Sequence, residues 1–247
     1  MRNYIRPAAI FLVALLFLFS IFAKYKTKAD FGLPGSAENS EEKPQSTLAE
    51  ASRPASDIRI GLQAGHWKNG ELPDELANLR QYGGGTSGGG KSEWEVNLAI
   101  AQNAAKILRD NGYTVDVLPA TVPADYQADL FVAIHADGNA DSSVSGFKVA
   151  SPWNDPTGKG AELANDLEKI YGGATKLKVD PNVTRDMRGY YAFNYRRFEH
   201  SISPNTPAAI IETGFLTDPS DREIIADQPE KAASGIARAV ETYLKSA

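Results

Sequence analysis

The chain has 247 residues, 42% hydrophobic and 23% charged, with no cysteine, three histidines and a formal charge of −5. This suits one well-packed domain or two small ones, and excludes a disordered chain, a collagen-like repeat and a disulfide-stapled miniprotein. Without cysteine there is no thiolate zinc site, iron–sulfur cluster or cysteine nucleophile, so any metal must sit on histidine, carboxylate or carbonyl groups.

Charge is spread unevenly. Residues 1–28 carry five Lys/Arg and no Asp/Glu, leaving 21 basic (26 − 5) against 31 acidic residues, or −10, for the rest. An acidic body argues against nucleic acid as the partner. Pro7–Ala23 is uncharged, with Arg2 and Arg6 before it and Lys24, Lys26 and Lys28 after it. As a helix it would span about 26 Å, close to a ~30 Å hydrocarbon core, and the flanking cations can snorkel to cover the difference. Residues 1–28 are therefore expected to be an N-terminal transmembrane helix that holds the chain at a membrane. A cleaved signal peptide is the alternative. Either reading puts the body outside the cytoplasm. Residues 29–56, rich in Ser, Ala, Glu and Pro, read as a disordered linker, and residues 57–247 as a single folded domain.

Within that domain strands and helices alternate. Ile58–Ala64 is a short apolar run that stops at Gly65-His66. Glu93–Asp110 is helical, with Val96, Ile100, Ala104, Ile107 and Leu108 on one face and Asn111-Gly112 as the stop. Tyr113–Leu118, Leu130–Ile134, Gly146–Ala150 and Ala208–Ile211 are predicted strands; Thr157–Tyr171 is a predicted helix closed by Gly172-Gly173. Asp218–Ala226 and Pro229–Leu244 complete the chain as helices. The alternation predicts an α/β three-layer sandwich around a mostly parallel sheet, with any chemistry at the carboxyl ends of the strands.

Three predicted strands end on chemistry-bearing residues, His66, His135 and Glu212. A fourth comes from the start of the first helix, where Ser92-Glu93-Trp94-Glu95 fits a capping box. The box occupies Glu95 and leaves Glu93 free as a ligand. Two imidazoles and one carboxylate, with a fourth position open, are the donor set of a catalytic zinc site. A second carboxylate that stays off the metal can take a proton from water and pass it to a leaving amine. The division of labour is then His66, Glu93 and His135 on Zn2+, and Glu212 as acid/base. Spacing alone leaves plain structural roles open for each, including a dipole-favouring Glu93 in the first helical turn. His200, in Tyr195-Arg-Arg-Phe-Glu-His, follows no strand and reads as surface or cleft lining. Tyr190–Phe198, with Arg196 and Arg197, fits either a ligand cleft or ordinary packing.

Four segments carry a family resemblance: Gln63–Trp67, Glu93–Ala101, Ala128–Asp137 and Pro207–Pro219 (PAAIIETGFLTDP). In this order they resemble the zinc-dependent N-acetylmuramoyl-L-alanine amidases of the amidase-3 family. The resemblance implies a roughly six-stranded α/β sandwich, zinc on His66, Glu93 and His135, and a catalytic Glu212. It also implies hydrolysis of the amide between N-acetylmuramic acid and L-alanine in peptidoglycan. The chain departs from the family at Trp67, where a small residue is usual, and at Val117–Gln127, which is short and lacks arginine. The long glycine-rich loop Trp67–Lys91 is expected to compensate as a cleft wall, and Ala136–Gly146 is too short for an inhibitory helix. Gly85–Ser92 (GTSGGGKS) also matches the phosphate-binding pattern G-x-x-x-x-G-K-[ST], but no buried strand leads directly into it. Two rival functions use much of the same sequence: a zinc peptidase cutting peptide stems, and a non-catalytic wall-binding domain.

Overall fold

The computed structural model describes residues 53–246. The expected transmembrane helix and residues 29–52 of the linker lie outside the described residues. Among the described residues no helix is long and apolar enough to cross a membrane. Among the described residues, Arg53 pairs with Asp129, and the Ser56 carbonyl accepts from Thr114 Oγ1 at 3.0 Å.

The elements in chain order are β1 (Arg59–Ala64), β2 (Ser87–Gly88), β3 (Lys91–Ser92), α1 (Glu93–Asp110), β4 (Thr114–Leu118) and β5 (Leu130–Asp137). β6 (Lys148–Ala150), α2 (Gly160–Thr175), α3 (Arg185–Arg188), β7 (Ala208–Phe215), α4 (Pro219–Arg222) and α5 (Pro229–Ser246) follow. The central sheet has the order β4-β1-β5-β7-β6, parallel except for β6, which runs antiparallel to β7. β2 and β3 form a separate small hairpin.

Alternation along the strands divides the core. Ile60, Leu62, Val132, Ile134, Ala209 and Ile211 face α1, α2 and α5, which pack together on one side of the sheet. Phe131, Ala133, Ala208 and Ile210 face the other way, onto Tyr126, Tyr191, Phe193 and Ile202. That second layer consists of irregular chain, 3-10 turns such as Asp74–Tyr82 and Tyr191–Phe193, and the one-turn α3. The predicted sandwich therefore carries its long helices on one face only.

Two expectations are corrected. The sheet has five strands, not about six. Beyond β6 the next segment makes a single parallel bridge, Phe147 with Val179, too short to count as a strand. The second helix runs through Gly172-Gly173 to Thr175, and Lys176 takes the left-handed position after it. Gly172 lies over the Phe147 ring, where a built Cβ would sit 3.1 Å from Cζ. Close packing, not a stop, accounts for that glycine. The bounds of α1 coincide with the prediction, and the Ser92 amide donates to Glu95 Oε2 at 2.8 Å.

Candidate active site

β1, β5, β7 and α1 each deliver one residue to a common cleft. His66 follows β1 through a tight turn and holds a left-handed backbone, φ 62°. Few non-glycine residues sit there, and histidine is among the types that do. His135 and Glu212 lie inside their strands rather than at the ends, directly paired in the parallel β5–β7 register. The polar continuation His135–Asp137 remains hydrogen-bonded in the sheet, with an irregularity only between His135 and Asp137. Residues 131, 133 and 135 and residues 208, 210 and 212 point to the face away from the long helices, so both side chains emerge on the side of that second layer.

The three expected ligands converge. Glu93 Oε1 is 3.0 Å from His135 Nδ1 and 3.6 Å from His66 Nε2, and the two imidazoles stand edge to face at 5.2 Å. His66, Glu93 and His135 each offer a ligand atom within 4.8 Å of the others, a set that could hold a metal ion. His66 Nδ1 is buried with no hydrogen-bond partner. Glu93 is fixed from three sides. Asn97 Nδ2 donates to Oε1 at 3.2 Å, the Thr86 amide donates to Oε2 at 3.0 Å, and Gly85 leaves no room for a Cβ, which would lie 2.7 Å from Cδ. Glu212 differs: among the described residues its carboxylate accepts no hydrogen bond.

Electrostatics separates the two glutamates. Burial opposes ionisation of Glu93, but the hydrogen bond and charge of His135, with His66 and the Thr86 amide, hold its carboxyl down at about 2. Burial pushes Glu212 up to about 8; Asp137 and Glu93 reinforce this and His135 opposes it. Burial also lowers His66, against the pull of Glu93. For His135 the burial penalty is outweighed by Glu93, Glu212 and Asp137, and its pKa rises. One carboxylate is thus a fixed anion, and the other a group that exchanges a proton near neutrality.

Beside Glu212 lies a buried ion cluster that sequence reading missed. Lys148, paired across the strands with Glu212, places Nζ 2.7 Å from Asp137 Oδ2 and 2.9 Å from Asp180 Oδ2. The Nζ also sits 5.2 Å above the Phe215 ring. Removing the cation would strand two carboxylates in a poorly solvated place. Lys148→Met, which keeps the aliphatic volume, is expected to cost about 3–5 kcal/mol of stability. Urea unfolding measures it; a loss near zero would mean the acids are solvated without the lysine.

The cleft holds about 330 Å³ and is lined by the four site residues with Tyr82, Gly85, Thr86 and Asp137–Gly138 among others. The Trp67–Lys91 loop does form one wall, through Tyr82, Gly85 and Thr86. Trp67 itself leans on the core and does not line the cleft. No helix lies between Ala136 and Gly146. His200 stands apart, with Nδ1 2.8 Å from Glu75 Oε1. Of the Tyr190–Phe198 segment, Tyr190 reaches the site, its hydroxyl 3.2 Å from His135 Nε2, whereas Arg196 and Arg197 lie against Tyr195 and Phe198.

The phosphate-loop resemblance dissolves in the same geometry. Gly89-Gly90 turns the β2–β3 hairpin with both residues at positive φ (58° and 79°), which a two-residue hairpin of this hand requires. Lys91 Nζ donates to the Ala226 carbonyl at 2.5 Å instead of reaching into a loop.

Residues 60–242 match the Amidase_3 family, described as N-acetylmuramoyl-L-alanine amidase. The chain belongs to the amidase-3 family. Similar proteins include the N-acetylmuramoyl-L-alanine amidase AmiA of Escherichia coli (strain K12), 23% identical over 199 residues, covering 62% of this chain and 69% of that one. The N-acetylmuramoyl-L-alanine amidase LytC of Bacillus subtilis (strain 168) is 31% identical over 180 residues, covering 65% of this chain and 33% of LytC. The crystal structure of N-acetylmuramoyl-L-alanine amidase from Clostridium difficile 630 superposes with a TM-score of 0.53 at 22% identity, covering 76% of this chain and 97% of that one. At that identity the superposition speaks for the amidase-3 fold alone.

Proposed function

We propose that this amidase-3 domain is a zinc-dependent hydrolase of the amide joining N-acetylmuramic acid to L-alanine in peptidoglycan. One observation carries the reading: two imidazoles and a fixed carboxylate meet in an open cleft, with a partner-free carboxylate, Glu212, directly across the strands from His135. The donor set suits zinc, and the buried, unpartnered His66 Nδ1 belongs to a ring whose other nitrogen faces Glu93. His66, Glu93 and His135 would hold the ion. Zinc, when bound, supplies Lewis acidity for activating water and polarising the scissile carbonyl.

The protein's residues do the rest. His135, His66 and the Thr86 amide keep Glu93 ionised, and Asn97 helps to orient it, so it stays out of the proton-transfer role. Glu212 accepts the proton that water loses as its oxygen bonds to the carbonyl carbon. It then returns that proton to the alanine nitrogen as the C–N bond breaks. The products are the free lactyl carboxylate on muramic acid and a new alanine amine.

Digestion of purified sacculi tests this. The protein is expected to release stem peptides with a free N-terminal alanine and leave the glycan intact. Chelation should abolish release and added zinc restore it. Cuts within the stem would instead establish a peptidase, and no cut with retained wall binding a non-catalytic domain. The basic-flanked Pro7–Ala23 stretch supports placement at the outer face of a membrane. Recovery of the full chain in the soluble fraction, without detergent and without shortening, would oppose that.

A further inference from the structure

Tyr190 holds a position that neither catalysis nor plain packing explains. It follows Gly189 and precedes the 3-10 turn Tyr191–Phe193, and its ring is boxed by Tyr191 at 4.9 Å and Phe193 at 5.6 Å. From that box it meets His135 edge to face, with centroids 5.3 Å apart and planes at 81°. The hydroxyl reaches Nε2 at 3.2 Å, while Nδ1 on the opposite side of the ring is 3.0 Å from Glu93 Oε1. Both nitrogens of His135 are therefore committed, one to the ligand cluster and the other to a phenol oxygen.

A neutral imidazole has one lone pair and one N–H, and whichever nitrogen gives its lone pair to a cation must leave the proton on the other. That outer N–H needs an acceptor, and the acceptor fixes both the tautomer and the ring's rotation. For His66, Nδ1 is buried and makes no full hydrogen bond among the described residues, with only the Gly83 backbone acting on the ring from outside the ligand cluster. For His135 the phenol supplies it.

We infer that Tyr190 is a positioning residue for the metal centre: when a cation displaces the proton that Nδ1 shares with Glu93 Oε1, the Tyr190 oxygen accepts the Nε2–H and keeps Nδ1 aimed at the space shared with Glu93 and His66. This rests on the zinc reading above.

Tyr190→Phe removes the oxygen and keeps the ring in its aromatic box. Zinc affinity, measured by competition with a fluorescent chelator, is expected to fall about 10- to 100-fold, the usual cost of losing an outer partner of a metal-binding histidine. The ¹⁵N resonances of His135 in the zinc-loaded protein should show a protonated Nε2 in the parent and a shifted or exchange-broadened signal in the variant. Tyr126→Phe is the control. It deletes a part-buried hydroxyl that donates to Asp116 Oδ2 at 2.6 Å and touches neither His135 nor Tyr190, and should leave zinc affinity unchanged. Equal affinity and an unmoved His135 signal in Tyr190→Phe would overturn the inference. So would an equal loss in both variants. If the parent itself takes up no stoichiometric zinc, the metal reading fails, and that result is distinct from either.

Discussion

Glu212→Gln is expected to keep one zinc per chain and lose turnover by about 10²- to 10⁴-fold, the usual contribution of a positioned acid/base. Glutamine has the same shape but cannot carry the proton from water to the amine. Little else should change, because the Glu212 carboxylate anchors no hydrogen bond and its strand is held by backbone pairing on both sides. Zinc content by metal analysis and amine release from sacculi measure the two halves of the prediction. Undiminished release would remove Glu212 from proton transfer. A second readout comes from the metal-free protein. A group whose folded pKa is raised favours the fold below its unfolded pKa, and that contribution is lost as pH climbs through the folded value. With Glu212 pushed up to about 8 by burial, the metal-free parent should lose stability between the carboxylate range and pH 8. The glutamine variant escapes that loss. The two should melt alike near pH 4 and the variant higher at pH 8.

Gly65→Ala is expected to damage the centre without touching a ligand. A Cβ on Gly65 would lie inside the His135 imidazole, 2.6 Å from Nδ1, the atom that faces Glu93. Neither side can give way easily. The Gly65 amide donates to the Ile134 carbonyl at 2.9 Å, and its carbonyl accepts from Asn97 Nδ2 at 3.1 Å. His135 is buried and held at its far nitrogen by Tyr190. Overpacking of this kind costs about 1–3 kcal/mol, and a displacement near 1 Å at a reacting centre costs about 10²-fold in rate. Zinc occupancy and rate should therefore fall together while the fold survives. Parent-like values for both would show that the ring slides freely.

The sequence revealed what is local. Ser92, Glu95 and Asn111-Gly112 encode both ends of α1 within a few residues, and the structure has those ends. Apolar runs found the strands but cut them short at His135 and Glu212, because hydrophobicity reports burial whereas strand continuation is set by pairing with a distant neighbour. Glu93 could be separated from Glu95 because the competing role, capping, is also local. Lys148 was invisible for the opposite reason. Its partners Asp137 and Asp180 lie in other segments, and nothing near Lys148 announces them. Gly85–Ser92 misled in a third way, since glycines that serve a hairpin turn and the packing around Glu93 happened to spell a nucleotide-binding pattern. Tyr190 stood in an aromatic segment singled out early, yet only the fold shows which of those rings touches a site histidine.

The strand order has a consequence for when the protein becomes active. β7 is the last strand in the chain, yet it sits between β5 and β6, which are synthesised before it. Until residues 208–215 insert, β5 has an open edge, Lys148 lacks its cross-strand neighbour, and the cleft lacks Glu212, the proposed proton carrier. A truncated chain ending before this strand is expected to leave sacculi uncut. The cleft is therefore complete only in a chain that runs through Phe215, because its fourth wall residue comes from a central strand that fills a gap left by its predecessors.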